Sequence, residues 1–415
     1  MPQDHPHRNF RLGVYNGAFV NGAEAFFHST LVLAPFLATL GAPAIVIGLI
    51  PALRVGAWFL PQLFVASRLA HEPLKLPWYR RAALLRISAY ALMVAVILAF
   101  PEHPGLIMGV VLAAIAVVSI GGGVSGIPFA DVTAKVVPHY RLGTFWVLRN
   151  TIGGALALLA GLLLRHLLAS DLPFPLNFGY IFACGAALSG VAYLAFCLIR
   201  EPAGKPATRQ PFRRMVRQIP GVLKKDLSFR RYLRVRFLAL LAVLADPFYA
   251  IYALKVLDAP ATSLGLFVML ATMASITANL LFRRPADRGQ NVGVMQVSLV
   301  LLFCAPVAAL LLTNWQLFGV VFMLSAAGQA GMGIAAWNLL YAVAPEAERP
   351  LYVGAANSIL SLPSLAPIFA GGLVDLLGFR PAFVLGAVIA VAALSFAFRF
   401  QALKALDVRA LRAST

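Results

Sequence analysis

Long apolar runs, separated by short polar turns, dominate the sequence. A run of roughly 18–25 predominantly apolar residues is long enough to cross the hydrocarbon core of a bilayer as a helix. Twelve such runs are present, six before a basic segment in the middle of the chain and six after it. The pattern predicts an all-α polytopic membrane protein with twelve transmembrane helices. The predicted spans are residues 12–38, 43–67, 82–100, 105–129, 144–168, 178–199, 236–256, 262–282, 292–312, 315–341, 352–374 and 380–400.

The segment between the two sets of runs carries a dense group of Arg and Lys residues. Each such residue costs about 2.5–3.5 kcal/mol near the bilayer midplane, so the segment must lie in water or among lipid headgroups. We therefore predict a six-helix bundle over residues 1–200 and a second over 236–415, which ends in a short cytoplasmic tail. A basic cytoplasmic linker at 201–235 joins the two bundles.

Within the linker, apolar residues recur at helical spacing opposite basic ones. This spacing predicts an amphipathic helix at the cytoplasmic headgroup surface, and a tether between bundles accounts for it without a further function. The apolar positions are Phe212, Val216, Ile219 and Leu223.

The remaining cations fall mainly in alternate connections, and connections rich in Lys and Arg face the cytoplasm. The opposite connections are short and carry few cations, chiefly Arg165, Lys255 and Arg380. Both termini are therefore predicted to be cytoplasmic, and an even number of spans agrees with this because it places them on the same side. We expect a multi-pass protein of the cytoplasmic (inner) cell membrane.

Composition narrows the class of protein further. The chain is 61% hydrophobic and 12% charged, whereas soluble domains carry about 25% charged residues. The net charge of +19 does not indicate nucleic-acid binding, because the cations punctuate apolar runs instead of covering one soluble face. The three cysteines all lie in apolar runs, so neither disulfides nor a metal site is expected. No phosphate-binding loop and no nucleophile–base pair is evident, so we expect neither enzymatic activity nor a cofactor. We also expect a monomer.

The two halves contain a repeated block at the end of a span and the turn that follows it. Residues 126–131 (Gly-Ile-Pro-Phe-Ala-Asp) align with residues 333–338 (Gly-Ile-Ala-Ala-Trp-Asn), and Val136-Val-Pro138 aligns with Val343-Ala-Pro345. Each block leads into a Gly-rich span. Duplicated halves of the same orientation are typical of one large transporter class, in which the solute site lies where the repeats meet.

These repeated turns, together with the segment 371–383 (Gly-Gly-Leu-Val-Asp-Leu-Leu-Gly-Phe-Arg-Pro-Ala-Phe), resemble the major facilitator superfamily over essentially the whole chain. The resemblance implies alternating access, in which two bundles rock about a central cavity. The usual Gly and Asp of the turn between spans two and three are missing from 67–77. Gly153-Gly154 lacks the upstream proline of the antiporter signature, so import and export both stay open.

Ionisable side chains at membrane depth are expensive and so indicate function. Glu24 lies near the middle of span one, with Asn21 and His28 on the same helical face. Arg54 lies at a similar depth in span two, and Asp246 lies near the middle of span seven. We predict that these five residues bind substrate or protons. A static Glu24–Arg54 pair, a purely structural His28 and an Asp246 that only satisfies broken backbone are the alternatives.

A second group lies at the predicted cytoplasmic ends of the helices. Asp131 and Arg149 are placed to form an ion pair in one state only, and Asn338 is the counterpart of Asp131 in the repeat. We predict a cytoplasmic gate at these three residues, with helix capping as the alternative.

The hypothesis from the sequence is a secondary active transporter of a small organic solute, with proton coupling favoured because Glu24 and Asp246 are available. Its partners would be the solute, protons and the lipid bilayer. A non-transporting receptor, or a lipid-handling protein of the same fold, is the alternative. Arg54 and the basic inner surface suit an anionic lipid headgroup.

Overall fold

The computed structural model describes residues 6–59, 61–69, 72–204, 212–345 and 348–399, and every regular element in these ranges is helical. Within these ranges, ten helical stretches are long and apolar enough to cross a membrane, and a shorter apolar stretch covers Ala44–Phe59. The prediction of an all-α polytopic membrane protein is confirmed. The predicted tail at 400–415 and part of the predicted linker, 205–211, lie outside the described residues.

The described helices fall into two units. The first unit comprises the described residues of Met1–Ala42, Leu53–Phe212 and Ala261–Met269. Its helices are α1 (Pro6–Phe26), α2 (Ala34–Thr39), α5 (Ala57–Phe59), α6 (Gln62–Leu69), α7 (Leu76–Ala99), α8 (Pro104–Val136), α9 (Leu142–Leu168) and α10 (Leu176–Cys197), with a π-helical turn at Ser29–Leu33 and a 3-10 turn at His139–Arg141.

The second unit comprises the described residues of Pro43–Ala52, Arg213–Pro260 and Leu270–Thr415. Its helices are α3 (Ala44–Ile47), α4 (Leu49–Pro51), α11 (Phe212–Lys225, from Arg213 on), α12 (Leu227–Ala242), α13 (Asp246–Lys255), α14 (Ser263–Asp287, from Leu270 on), α15 (Asn291–Leu311), α16 (Trp315–Val343), α17 (Arg349–Leu360), α18 (Ala366–Leu377) and α19 (Phe379–Phe398), with a 3-10 turn at Leu362–Leu365.

The first two predicted spans are interrupted helices. The region of the first span contains α1, the π turn and α2, and the region of the second contains α3 to α6 with a further π turn at Ala52–Gly56. Pro51 lacks a backbone N–H and disfavours a regular helix through this point. Hydropathy measures length and apolarity, so it predicts the spans without their interruptions.

In the first unit, α1 packs against α9 and α10, and α7 packs against α8. Small residues allow these close approaches: a Cβ atom on Gly153 would lie 2.5 Å from the Asn21 Cβ. Phe27 stacks between Tyr90 at 4.3 Å and Phe182 at 5.8 Å between ring centroids. The aromatic stack fixes the end of α1 beside α7, which is where the candidate site lies.

In the second unit, α15 packs against α16 and α19, and α3 packs against α18. The contact between α3 and α18 is closed by hydrogen bonds: the Asp375 carboxylate accepts from the backbone N–H groups of Ala44 at 2.8 Å and Ile45 at 3.0 Å. A carboxylate at this position satisfies donors that a helix start leaves unpaired. Gly378 has a φ of 82° between α18 and α19, a conformation that favours glycine.

The amphipathic helix predicted within the basic segment corresponds to α11. The following helix α12 begins at Leu227, nine residues before the predicted start of span seven at 236. Asp226 explains the early start, because its carboxylate accepts from the Phe229 N–H at 2.9 Å and so caps the helix. The predicted bundle limits stay a prediction.

Candidate functional site

The end of α1 positions the first group of candidate residues. The helix stops at Phe26, and the His28 Nδ1 accepts a hydrogen bond from the Leu31 N–H at 3.3 Å, which caps the π turn. A helix end leaves carbonyl groups without an intrahelical partner. The Phe27 carbonyl accepts from the Arg54 guanidinium instead. The interruption of the helix therefore creates a binding position for Arg54.

Arg54 itself lies in the π turn Ala52–Gly56, and its Nη2 contacts the Glu24 Oε2 at 2.5 Å. The structure thus brings together the two charged residues that the sequence analysis singled out in spans one and two. The Arg54 side chain is 21% exposed and that of Glu24 is 49% exposed. π turns of this kind occur often at functional sites.

The Glu24–Arg54 pair is expected to behave as an energetically coupled unit. In a double-mutant cycle of Glu24→Gln and Arg54→Gln, we expect a coupling free energy of about 0.5–3 kcal/mol, because each single change leaves a charge without its partner. The free energies of unfolding of the four proteins, measured by titration with SDS, give this value. Additivity within about 0.5 kcal/mol would contradict the pairing.

A cavity of about 180 Å³ lies beside this pair within the first unit. Glu24 and Arg54 form part of its wall, and Arg86 of α7 contributes a second guanidinium. The other side chains of the wall are largely apolar or aromatic; among them are Phe27, Trp58, Tyr90, Met93 and Val118. Arg86 was not predicted as a site residue, although it lies inside the predicted span 82–100. A charged residue within a span was also the signal that pointed to Glu24 and Arg54.

Arg86 is held by an aromatic ring and by small residues of α8. Its Cζ lies 4.1 Å from the centroid of the Tyr193 ring, a cation–π contact. A Cβ atom on Gly121 would lie 2.7 Å from the Arg86 Cγ, so the glycine makes room for the side chain. The Arg86 Nε is buried and has no hydrogen-bond partner among the described residues.

Asn21 and His28, the other candidates from span one, make different contacts. The Asn21 Nδ2 donates weakly to the Arg149 carbonyl and to the Asn150 Oδ1, both at 3.4 Å, and so links α1 with α9. His28 caps the π turn as described. In this structure neither residue is hydrogen-bonded to Glu24, and their roles in binding stay predictions.

Asp246 belongs to the second unit, where it is the first residue of α13. Its Oδ2 accepts from the Ser325 hydroxyl at 2.7 Å and from the Gln329 Nε2 at 2.8 Å, both residues of α16. Among the described residues, this carboxylate has neutral partners and forms no ion pair. Ser325 and Gln329 were not singled out by sequence, since uncharged polar residues in spans are common.

The three predicted gate residues are each bound by other neighbours. Asp131 contacts Lys75 at 2.8 Å and Lys135 at 2.7 Å. The Arg149 guanidinium donates to the Gly13 carbonyl at 2.5 Å and to the Asn16 Oδ1 at 3.2 Å. Asn338 of the second unit donates to the Asn291 Oδ1 at 2.8 Å. Asp131 and Arg149 are not paired in this structure, and the gate stays a prediction.

The contacts of Asp131 belong to a larger group of charges, which we call the α7–α8 charge cluster: Lys75, Asp131, Lys135 and Glu201. The Glu201 side chain is 2% exposed and contacts the Lys135 Nζ at 2.8 Å. Its carboxylate also accepts from the backbone N–H groups of Lys75 at 2.9 Å and Leu76 at 2.7 Å. Glu201 therefore caps the start of α7 and neutralises a cation of α8 at the same time.

Comparison with known proteins identifies a family whose model matches most of the chain, and a curated relative that matches part of it. The family model described as "Major Facilitator Superfamily" matches residues 14–364 and 237–409. The uncharacterized protein Rv2209 of Mycobacterium tuberculosis is 24% identical over 206 residues, which are 48% of this chain and 40% of that protein. The chain thus aligns with less than half of the length of this curated relative.

Two solved structures illustrate the similarity of fold. The nucleoside transporter NupG has a TM-score of 0.72 at 13% identity, over 95% of this chain and 99% of that chain. The inward-open xylose transporter XylE from E. coli has a TM-score of 0.67 at 13% identity, over 96% of each chain. At these identities the similarity concerns the fold alone.

Proposed function

Since this chain belongs to the major facilitator superfamily, we propose that it is a secondary active transporter that moves a small organic solute by alternating access and is coupled to protons. Its spans have the length and apolarity that a bilayer requires. The distribution of Lys and Arg supports a place in the cytoplasmic (inner) membrane with both termini inside. We further propose that it acts as a monomer.

The proposal of proton coupling rests on one observation: the carboxylates of Glu24 and Asp246 have partners of different charge. Glu24 contacts a guanidinium at 2.5 Å, whereas Asp246 accepts from a hydroxyl and an amide. Protonation of Glu24 would break an ion pair, while protonation of Asp246 would only rearrange neutral hydrogen bonds. Asp246 is therefore our candidate for the proton carrier.

The partners of Asp246 suit a group that alternates between two protonation states. The carboxylate accepts from Ser325 and Gln329. A protonated carboxyl can donate to the Ser325 oxygen, since a hydroxyl also accepts, and its free oxygen can still accept from the amide. The protonated form carries no charge, so it moves through a low-dielectric environment at lower cost than the carboxylate. A change of conformation can thus be linked to the proton.

Glu24 and Arg54 have a different part in this proposal. Each carries a charge at membrane depth, and each is compensated by the other. They line the cavity of the first unit, where a solute can contact them. We assign them to solute binding and orientation.

The function is tested with purified protein in liposomes. A thermal-shift screen against metabolites and drugs at two pH values first identifies solutes, since a ligand of the folded state raises its apparent stability. Liposomes loaded with a hit should then take up the labelled compound by counterflow, and a proton gradient should drive its accumulation. Binding without counterflow would contradict transport and favour the receptor alternative. Counterflow that no proton gradient can drive uphill would contradict proton coupling.

A further inference from the structure

We propose that the cavity of the first unit binds an organic monocarboxylate whose acidic group contacts Arg86. This proposal rests on the proposed transport function and names the chemical class of the solute. It follows from three features of the cavity: its balance of charge, the unused donor on Arg86, and the size and character of the remaining wall.

The charge balance leaves one positive charge for the ligand. Arg54 contacts Glu24, so these two charges compensate each other. Among the described residues that line the cavity, Arg86 is the other ionised side chain, and it forms no ion pair. A guanidinium carries its charge at every physiological pH. A ligand with a single negative charge therefore complements the charge of this cavity.

The second feature is the hydrogen-bonding state of the Arg86 Nε. Its Nε is buried and has no hydrogen-bond partner among the described residues. A buried donor without a partner costs free energy, and a ligand that accepts from it removes that cost. Guanidinium groups bind carboxylates with paired N–H donors, and such charge-assisted bonds are stronger than neutral ones.

The rest of the wall suits a flat apolar body. Phe27, Trp58 and Tyr90 contribute aromatic side chains, and Met93 and Val118 contribute aliphatic ones. A cavity of about 150 Å³ holds a benzene ring in another protein, and this one measures about 180 Å³. A six-membered ring with one carboxylate matches this volume. A phosphate monoester matches the charge less well, since it carries about −1.5 to −2 at neutral pH.

Gly122 keeps the space beside Arg86 open. A Cβ atom there would lie 3.0 Å from the Trp58 Cδ1 and 3.8 Å from the Arg86 Cζ. A larger residue at this position would fill the cavity between the ring and the guanidinium and would leave every charge in place. This gives a steric test of the site that does not depend on removing Arg86.

The test measures binding of benzoate, benzamide and phenyl phosphate to the purified full-length protein, by the shift of its unfolding temperature. We expect saturable binding of benzoate, with benzamide at least about tenfold weaker because it lacks the charge. Phenyl phosphate should bind less tightly than benzoate. Equal binding of benzoate and benzamide, stronger binding of phenyl phosphate, or no binding of benzoate would overturn the proposal.

Variants locate the contact. Arg86→Gln should raise the Kd of benzoate about 10- to 100-fold and leave that of benzamide unchanged. Arg81→Gln, which removes an exposed arginine of the same helix, should change neither. If Arg86→Gln does not fold, Gly122→Val decides, since it should weaken both compounds. Unchanged benzoate binding in Gly122→Val or in folded Arg86→Gln would place the anion elsewhere and overturn the assignment.

Counterflow of benzoate in liposomes separates this proposal from the transport function. Binding that depends on Arg86 without exchange would leave the carboxylate site intact and contradict transport. Exchange of another solute that is indifferent to Arg86→Gln would support transport and contradict the carboxylate site.

Discussion

Asp246→Asn is expected to abolish accumulation driven by a proton gradient and to retain exchange of solute at equilibrium. Asparagine keeps the size of the side chain and can bond to Ser325 and Gln329, but it cannot take up a proton. Uptake into liposomes with an imposed pH gradient, compared with counterflow in its absence, measures the two activities. The loss of accumulation should be complete, because an uncoupled carrier only equilibrates its solute.

A matched control is available in the same unit. Asp258 is exposed and has a φ of 53°, a conformation that asparagine tolerates well. Asp258→Asn should keep both activities. Accumulation by Asp246→Asn at the level of the unaltered protein would exclude Asp246 as the proton carrier and leave Glu24 as the candidate.

Glu201→Ala is expected to lower the free energy of unfolding by about 2–4 kcal/mol. Glu201 is almost fully buried, contacts the Lys135 Nζ, and accepts from two backbone N–H groups at the start of α7. Its removal leaves two helix donors without this acceptor, while the Lys135 ammonium keeps its contact with Asp131 at 2.7 Å. Unfolding by SDS, followed by circular dichroism, measures the change.

Glu102 provides the comparison, because it lies exposed in the turn between α7 and α8. Glu102→Ala should change the free energy of unfolding by no more than about 0.5 kcal/mol. Glu201→Gln should fall between the two, since it keeps an acceptor and loses the charge. A loss below about 1 kcal/mol in Glu201→Ala would mean that water replaces the carboxylate and that the α7–α8 charge cluster is not a stabilising element.

The features that the sequence predicted are those that the bilayer imposes. Apolar runs of sufficient length must span, and a charge within them must find a partner. These two rules were enough to predict the helical architecture and to indicate that Glu24 and Arg54 could pair, as they do in the structure. The spacing in the linker likewise predicted a helix from local sequence, and α11 is a helix at these positions. Its place at the headgroup surface stays a prediction.

The features that the sequence did not predict depend on residues far apart in the chain. Arg86 lies near the start of its span, close to Arg80 and Arg81, so its sequence context resembles a helix end at the headgroups. It lines the cavity together with Glu24 of α1 and Trp58 of α5, and the tertiary fold brings these three helices to one cavity. Glu201 lies 66 residues from Lys135, and only the tertiary fold joins them.

The two interruptions of the early helices depend on both local residues and a contact between the two segments. His28 caps the first π turn, and the Phe27 carbonyl released by the interruption is bound by Arg54, which itself lies in the second. Each interruption is stabilised by a residue of the other segment or by a cap, so neither can be inferred from hydropathy. The predicted ion pair of Asp131 and Arg149 is not formed in this structure. Their pairing was predicted from positions near helix ends, but the partners that they bind instead, Lys75 and Asn16, lie far from them in the chain.

The membership of residues 43–52 in the second unit has a consequence for biogenesis. Ala44 and Ile45 bond to Asp375, which is 331 residues further along than Ala44. At about 5–20 residues per second, the ribosome needs roughly 15–65 s to reach Asp375 after it has made Ala44. During that time the backbone N–H groups of Ala44 and Ile45 have no bond to Asp375, so they are either unpaired or bonded to other acceptors. A truncated protein that begins at the linker would lack residues 43–52, and Asp375 would have no such partner.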